Sequence, residues 1–120
     1  MTTLANADPS SDAREVLQLL LNAPQLAQYY HFDVRPQRKP LRIHNQTSVA
    51  IAPENLTAIG EPVELTQNAD PNTLEIAEFQ IDGGHAAAKF AWHVEGIAGT
   101  VEFSKQQGVW RLDHINVAEH

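Results

Sequence analysis

The spacing of apolar residues between positions 73 and 118 constrains the fold of this chain more than any other feature. Side chains on a strand alternate between two faces, so apolar residues two apart share a face. From Leu74 to Ile81 the apolar residues are separated by two, three and two positions. One extra residue near Ala77-Glu78 restores a single apolar face, which is the effect of a β-bulge. The pattern therefore predicts a strand with a bulge near its middle.

The last part of the chain repeats this interruption. Trp110 and Leu112 are at even-numbered positions, whereas Ile115 and Val117 are at odd-numbered positions. The same reasoning predicts a second bulge, near Asp113-His114.

Between these two strands the alternation is regular. Apolar residues occur at every second position from Ala86 to Val94, and Val101 and Phe103 continue the pattern. Glycine-containing turns separate the strands, at Asp82-Gly83-Gly84, Glu95–Gly99 and Gln106-Gln107-Gly108. Residues 73–118 are thus predicted to form a four-strand antiparallel meander, bent by two bulges.

The amino-terminal residues predict two short helices ahead of the sheet. Asp12 is placed to cap a helix, and Glu15 three residues later completes a capping box. Apolar residues follow at three- and four-residue spacing, which marks one helix face: Ala13, Val16, Leu17, Leu20 and Leu21. Pro24 ends this pattern and suits the first turn of a second helix, expected to run from Gln25 to about Tyr30.

The middle of the chain reads as a linker followed by short strands. Residues 31–40 form the linker and contain two prolines. Leu41–His44 and Ser48–Ala52 alternate in polarity, which predicts two strands joined by a hairpin turn at Asn45–Thr47. Glu61–Thr66 predicts one more short strand.

Together these elements predict an α+β fold, with short N-terminal helices packed on a strongly bent antiparallel sheet. We expect residues 1–10 to be a flexible N-terminus and residues 11–120 to form a single domain. A chain of 120 residues is long enough for one hydrophobic core.

Composition excludes several classes of function. The chain has no cysteine, so disulfides, thiol catalysis and thiolate metal sites are excluded. No stretch approaches the ~18 apolar residues of a membrane span, and a membrane partner is not expected. The first residues lack the basic and apolar segments of a secretory signal, which predicts a cytoplasmic protein. The net charge of −7 argues against nucleic acid as a partner.

Charge is distributed unevenly along the chain. Half of all Lys and Arg residues form one basic cluster, which is a candidate anion-binding site: Arg35, Arg38, Lys39 and Arg42. From Pro53 onwards eleven acidic residues accompany three Lys and Arg. An acidic sheet can steer a basic protein, and a simple contribution to solubility is the alternative. The candidate partner-binding residues are Glu75, Glu78, Glu95 and Glu102.

One motif of the meander resembles a known superfamily. Val101 and the series Phe103-x4-Gly108-x-Trp110-x4-Ile115, after two helical segments, are similar to the nuclear-transport-factor-2-like and cystatin-like proteins. The resemblance covers residues 73–118 and implies a curved sheet wrapped on helices. Members include isomerases, cyclases, hydratases, ligand-binding domains, protein-docking modules and toxin-immunity proteins, so the resemblance alone does not select a function.

Candidate catalytic residues belong to an alternative hypothesis, in which a pocket between the helices and the sheet serves a lyase or isomerase. That pocket would hold Tyr30, Asp33, His93 and His114. A tyrosine hydroxyl with a carboxyl group can stabilise an enolate, and Asp113 beside His114 suggests an acid–base pair. A core tyrosine and a solvated bulge are the competing interpretations. The six histidines have no metal-ligand spacing, so no metal site is predicted.

The first functional hypothesis is a non-enzymatic module that binds another, basic protein on its acidic sheet, as an inhibitor or immunity protein does. It depends on the uneven charge and on the lack of any catalytic motif. Nothing in the sequence calls for a cofactor. Dimerisation through the open face of the sheet is a further expectation, because one short helical layer leaves much of it uncovered.

Overall fold

The computed structural model of this chain describes residues 9–32, 34–36, 39–47, 49, 56–68 and 70–119. Within these residues it contains two helices, α1 (Pro9–Leu21) and α2 (Pro24–Ala27). Seven strands follow: β1 (Leu41–Asn45), β2 (Thr57–Ala58), β3 (Glu61–Leu65), β4 (Leu74–Asp82), β5 (His85–Trp92), β6 (Ile97–Gln106) and β7 (Val109–Glu119). They form one curled sheet in the order β2-β3-β1-β4-β5-β6-β7. The predicted α+β fold with a bent sheet is confirmed.

The last four strands pair antiparallel in chain order, as the apolar spacing predicts. The pairing of β4 with β5 shifts between Ile76 and Glu78, which leaves Ala77 as the extra residue. The pairing of β7 with β6 shifts by one residue at Asp113. Both predicted bulges are therefore confirmed.

The two faces of the meander differ in burial. Every second residue of β5 is buried on the face towards the helices, here called the inner face: Ala86, Ala88, Phe90 and Trp92. The residues between them, such as Ala87 and Lys89, project from the opposite, outer face. On β6, Gly99 lies opposite Phe90, and a Cβ atom there would come within 2.7 Å of the Phe90 ring. Glycine therefore makes room for this ring.

The end of β5 differs from the prediction. The alternation suggests a strand that continues to Val94, but β5 ends at Trp92 and a 3₁₀ turn, His93–Glu95, follows. Gly96 closes this turn with φ of +67°, a value that glycine adopts without strain. Val94 is consequently 40% exposed.

The sheet is mixed, so the prediction of a purely antiparallel sheet was wrong at β1. This strand pairs in parallel with β3 on one side and with β4 on the other. Alternation of buried and exposed residues is the same in both kinds of pairing, and β1 shows it with Leu41 and Ile43 buried. The spacing alone therefore could not distinguish them.

In the described residues β1 pairs with β3 on one side and with β4 on the other, whereas Ser48–Ala52 was the strand predicted beside it. A local turn does occur there. The side-chain oxygen of Asn45 accepts hydrogen bonds from the backbone N–H and the hydroxyl of Thr47, at 3.0 and 2.6 Å. Of the predicted second strand only Val49 is described, and the rest lies outside the described residues.

The apolar face predicted for α1 is confirmed, since all five of its predicted residues are at most 1% exposed. The predicted cap was wrong, because α1 begins at Pro9 and Asp12 lies within its first turn. The Asp12 carboxylate instead accepts hydrogen bonds from Trp110 Nε1 at 3.1 Å and Lys105 Nζ at 3.3 Å. Pro24 opens α2 as predicted, although this helix already ends at Ala27.

Helix α1 connects the two outermost strands of the sheet. At one end, Asp12 binds Trp110 of β7. Further along, the Gln18 amide donates to the carbonyl oxygen of Thr57 in β2 at 2.7 Å and accepts from its N–H at 2.9 Å. The helix thus spans the opening of the curled sheet and closes the inner face over the core.

Candidate protein-docking surface

The outer face of β4–β7 carries most of the predicted partner-binding residues. Glu75, Glu78 and Glu102 all lie in strands at positions that alternate with buried residues. The register places Glu102 between Ala87 of β5 and His114 of β7. The structure therefore brings three of the four predicted carboxylates to one face.

Two of these carboxylates already have partners. Lys89 Nζ lies 3.5 Å from Glu78, and both side chains are exposed. Glu75 is more enclosed, because His93 Nε2 lies 3.6 Å from its carboxylate and Gln46 donates a 2.6 Å hydrogen bond to it. An exposed pair such as Lys89 and Glu78 contributes little stability, about 0–1 kcal/mol, and its charges remain accessible to a partner. The Glu75 side chain, in contrast, is only 14% exposed.

The fourth predicted residue, Glu95, lies apart from this face. It belongs to the 3₁₀ turn after β5, and its carboxylate is 3.7 Å from Nε2 of His31. The alternation predicts a strand up to Val94, next to Glu95, and the early end of β5 at Trp92 moves Glu95 to another part of the surface.

An open depression of about 320 Å³ lies on the outer face near the β4–β5 turn. Three carboxylates line it, from Asp82, Glu102 and Asp113, together with the imidazole of His85. Ser104 donates a 3.0 Å hydrogen bond to Asp113, which orients that carboxylate. The bulge places Asp113 at this position, whereas its place in the sequence suggested only an acid–base role beside His114.

A second, smaller depression of about 240 Å³ adjoins the first. The two share Gln80, Ala87 and Glu102 among their lining residues. Thr100 and Lys89 also line the second depression. Because alanine and threonine are small, the backbone of a partner could approach the sheet closely along this path.

The predicted anion-binding cluster is partly neutralised by the protein itself. Arg42 forms a 3.0 Å ion pair with Asp70, and Lys39 lies 3.8 Å from Glu61. Arg35 is exposed, and Arg38 lies outside the described residues. Anion binding by this cluster stays a prediction.

The residues of the alternative catalytic hypothesis are separated in the structure. Tyr30 is buried in the core, where its hydroxyl donates a 2.7 Å hydrogen bond to the carbonyl oxygen of Leu21. His93 and His114 are exposed outside the core, and Asp33 lies outside the described residues. The structure thus does not bring Tyr30 together with either histidine.

The inner face is packed with aromatic side chains. Phe90 and Trp92 are at most 2% exposed there. The Tyr30 ring stacks on Phe32 with 5.1 Å between centroids and meets Trp92 edge-on at 5.7 Å. Burial raises the pKa of the Tyr30 hydroxyl above its ordinary value, which keeps it protonated as a donor. This packing does not favour the pocket hypothesis.

The neighbouring Tyr29 has a different environment, which the sequence did not indicate. Its hydroxyl donates a 2.7 Å hydrogen bond to Glu119 at the end of β7. This bond, together with the negative charges of Glu119 and Glu95, raises the pKa of Tyr29. Glu119 is 90 residues away along the chain, and no local pattern relates the two residues.

Comparisons with protein-family models, with curated proteins and with solved structures found no match. Within the described part of the chain, no three His, Asp or Glu residues are grouped closely enough to hold a metal ion. Neither α1 nor α2 is long and apolar enough to cross a membrane.

Proposed function

We propose that this chain is a non-enzymatic protein-binding module that docks a basic protein on the outer face of β4–β7, as an inhibitor or immunity protein does. The observation that carries the proposal is the convergence of Asp82, Glu102 and Asp113 on one open depression. Among the described residues that line it, none is Lys or Arg. A Lys or Arg side chain of a partner would supply the missing counter-charge.

Two of the three Lys and Arg residues of β4–β7 are already engaged, and the third, Arg111, is exposed on β7 opposite Ser104. Lys89 pairs with Glu78, and Lys105 pairs with Asp12 at 3.3 Å. An incoming cation therefore does not compete with these residues for the carboxylates of the depression. Attraction between such charges speeds association and selects a partner of opposite charge, more than it adds affinity.

The proposal also includes a place for this chain among the nuclear-transport-factor-2-like and cystatin-like curved-sheet proteins. It is supported by a curled sheet over two short helices and by the two bulges of the meander. Because that superfamily includes docking modules and enzymes alike, the surface and not the fold supports the binding function.

The test measures how the affinity for a captured partner depends on charge. The partner is first purified on the immobilised chain, and its dissociation constant is then measured at several salt concentrations. We expect a basic partner, with affinity that falls as salt rises because exposed charges are screened. Glu102→Gln and Asp82→Asn should each weaken binding about threefold to tenfold, the effect of about 1 kcal/mol, and reduce the salt dependence.

Glu64→Gln is the matched control. Glu64 is exposed on β3, far from the depression in strand order, and its substitution changes the net charge by the same amount. We expect it to leave affinity nearly unchanged. The proposal is wrong if the captured partner is acidic, or if its affinity responds neither to salt nor to Glu102→Gln.

A further inference from the structure

The outer edge of β7 differs from that of every other long strand in the described sheet, because β7 has a neighbour on one side only. It is eleven residues long and contains no proline. An edge of this kind presents backbone N–H and C=O groups to which another strand can add. Most proteins protect such an edge or use it.

The direction of these backbone groups follows from the ladder. The N–H of Lys105 donates to the carbonyl oxygen of Gly84, which precedes β5. The backbone N–H and C=O groups of odd-numbered residues of β6 therefore point towards β5, and those of even-numbered residues point towards β7. Beyond the bulge, Thr100 is paired with Asn116, whose carbonyl oxygen points back to β6 and lies against Gly99. The backbone groups of Ile115 and Val117 therefore point away from the sheet.

Within the described residues, no hydrogen bond occupies these outward groups. At the opposite edge of the sheet, by contrast, side chains bond to the backbone groups. There, the Gln18 amide satisfies both backbone groups of Thr57, and the Asn22 side chain accepts from the N–H of Ile59 at 3.0 Å. One edge is thus covered by α1, whereas no residue in the described part of the chain bonds to the outward backbone groups of Ile115 and Val117.

The surroundings of this edge indicate what would occupy it. On the inner side, Leu112, Ile115 and Val117 are only partly buried, so apolar side chains of an added strand would cover them. On the outer side, Asp113 is exposed next to the edge. Glu102 on β6 lies two strand spacings, about 10 Å, from an added strand, within reach of a lysine. The net charge of −7 disfavours a second copy of this chain.

We infer that the edge of β7 from Ile115 to Glu119 takes up an extended segment of a basic protein as an eighth strand, with apolar residues alternating with Lys or Arg. The identity of the partner rests on the proposed function, whereas the edge rests on backbone geometry. Backbone hydrogen bonds would supply affinity, and the alternation would supply register and specificity.

The probe is a ten-residue peptide of alternating Lys and Val with blocked ends, followed by amide hydrogen exchange of the full chain. Without peptide, the amides of Ile115 and Val117 should exchange rapidly, whereas that of Asn116 should be protected by its bond to β6. Peptide should slow exchange at Ile115 and Val117 at least tenfold and leave Asn116 unchanged. Raising the salt should weaken binding of the peptide.

Two comparisons sharpen this test. Val117→Pro removes an N–H that points away from the sheet, and in this register it breaks no hydrogen bond to β6. It should therefore weaken the binding of the peptide at least tenfold without changing the net charge. Thermal unfolding shows whether this variant is folded. If it is not folded, amide exchange of the unsubstituted chain with and without peptide still tests the inference. A Glu-Val peptide of equal length should not bind.

Peptide binding that responds to salt but leaves Ile115 and Val117 unprotected would overturn the inference and leave the proposed function standing. Equal protection by the Glu-Val peptide would show that the edge does not select a basic segment. Failure of the Lys-Val peptide to bind also overturns the inference. So does protection of both amides in the free chain that increases with protein concentration, which would identify a second copy as the occupant.

Discussion

Gln18 and Thr57 form a pair in which one side-chain amide replaces a neighbouring strand. The amide nitrogen of Gln18 donates to the Thr57 carbonyl oxygen at 2.7 Å, and its oxygen accepts from the Thr57 N–H at 2.9 Å. Strand β2 is two residues long and, among the described strands, has β3 as its only neighbour. The pair therefore ends the sheet and fixes α1 to it at the same point.

Gln18→Ala should leave both backbone groups of Thr57 without these partners. We expect the free energy of unfolding to fall by about 1–3 kcal/mol, the cost of unpaired, partly buried polar groups. Urea unfolding measures this loss. Gln28→Ala is the control, because the Gln28 side chain donates to the nearby carbonyl oxygen of Gln25 on an exposed turn. A similar loss in both variants would show that the Gln18 pair has no special role.

Gly99→Ala should destabilise the centre of the sheet. A Cβ atom there would collide with the carbonyl oxygen of Asn116 and lie 2.7 Å from Phe90 Cζ. Because backbone and a buried ring cannot move aside easily, we expect a loss of about 1–3 kcal/mol or more. In Gly84→Ala the new Cβ meets its nearest neighbour at 3.7 Å, an ordinary contact. Thermal unfolding should therefore separate the two variants clearly.

The adjacent tyrosines should respond differently to loss of their hydroxyl groups. Tyr30→Phe leaves the carbonyl oxygen of Leu21 without its donor in the core, and we expect a cost of about 1–3 kcal/mol. Tyr29→Phe removes an exposed bond to Glu119 and should cost clearly less. Chemical unfolding of both variants measures the difference. An equal cost would contradict the assignment of Tyr30 to the core.

Alkaline pH should destabilise the fold through both tyrosines. Hydrogen bonding to Glu119 raises the pKa of Tyr29, and burial raises that of Tyr30. A raised pKa in the folded state adds stability that is complete below the ordinary tyrosine value of about 10. This stability is lost as the pH rises through the folded-state values.

The ultraviolet absorbance of tyrosinate follows this titration. At about pH 10, half of the tyrosine in a denatured chain is ionised, whereas we expect the native chain to be mostly protonated. Tyr29→Phe leaves only the buried Tyr30, whose ionisation should coincide with unfolding. Identical titration curves for native and denatured protein would contradict the environments of both residues.

Deleting Ala77 should be tolerated better than deleting a residue of a regular strand. Ala77 is the extra residue of the first bulge, and without it Ile76 and Phe79 are two apart and still share the inner face. Deleting Ala87 would instead turn Phe90 and Trp92 to the outer face. We expect cooperative thermal unfolding for the first deletion and no folded protein for the second. The opposite order would contradict the assigned bulge.

The alternation of apolar and polar residues predicted those features of the fold that depend on residues close together in the sequence. Both bulges, at Ala77 and Asp113, were predicted because one extra residue in a strand restores an interrupted alternation to a single apolar face. The parallel partners of β1 were missed, since alternation is the same for both directions of pairing. The cap at Asp12 was mispredicted because Trp110, a partner 98 residues away, competes for that carboxylate.

The candidate surface was predicted in part. Glu75, Glu78 and Glu102 share the outer face because each lies at a strand position that alternates with buried residues. Asp113 joins Glu102 at the depression because a bulge redirects it, and sequence spacing does not specify that direction. The cover over Thr57 could not be predicted either, because Gln18 lies 39 residues earlier in a helix.

The position of α1 has a consequence for synthesis of the chain on the ribosome. This helix precedes all seven strands, but it rests on β2 and on β7, which is the last of the seven to be synthesised. The apolar face of α1 therefore stays incompletely covered until all seven strands have been synthesised. Contacts of such long sequence separation slow folding, and a chaperone that shields α1 during that interval would protect the nascent chain from aggregation.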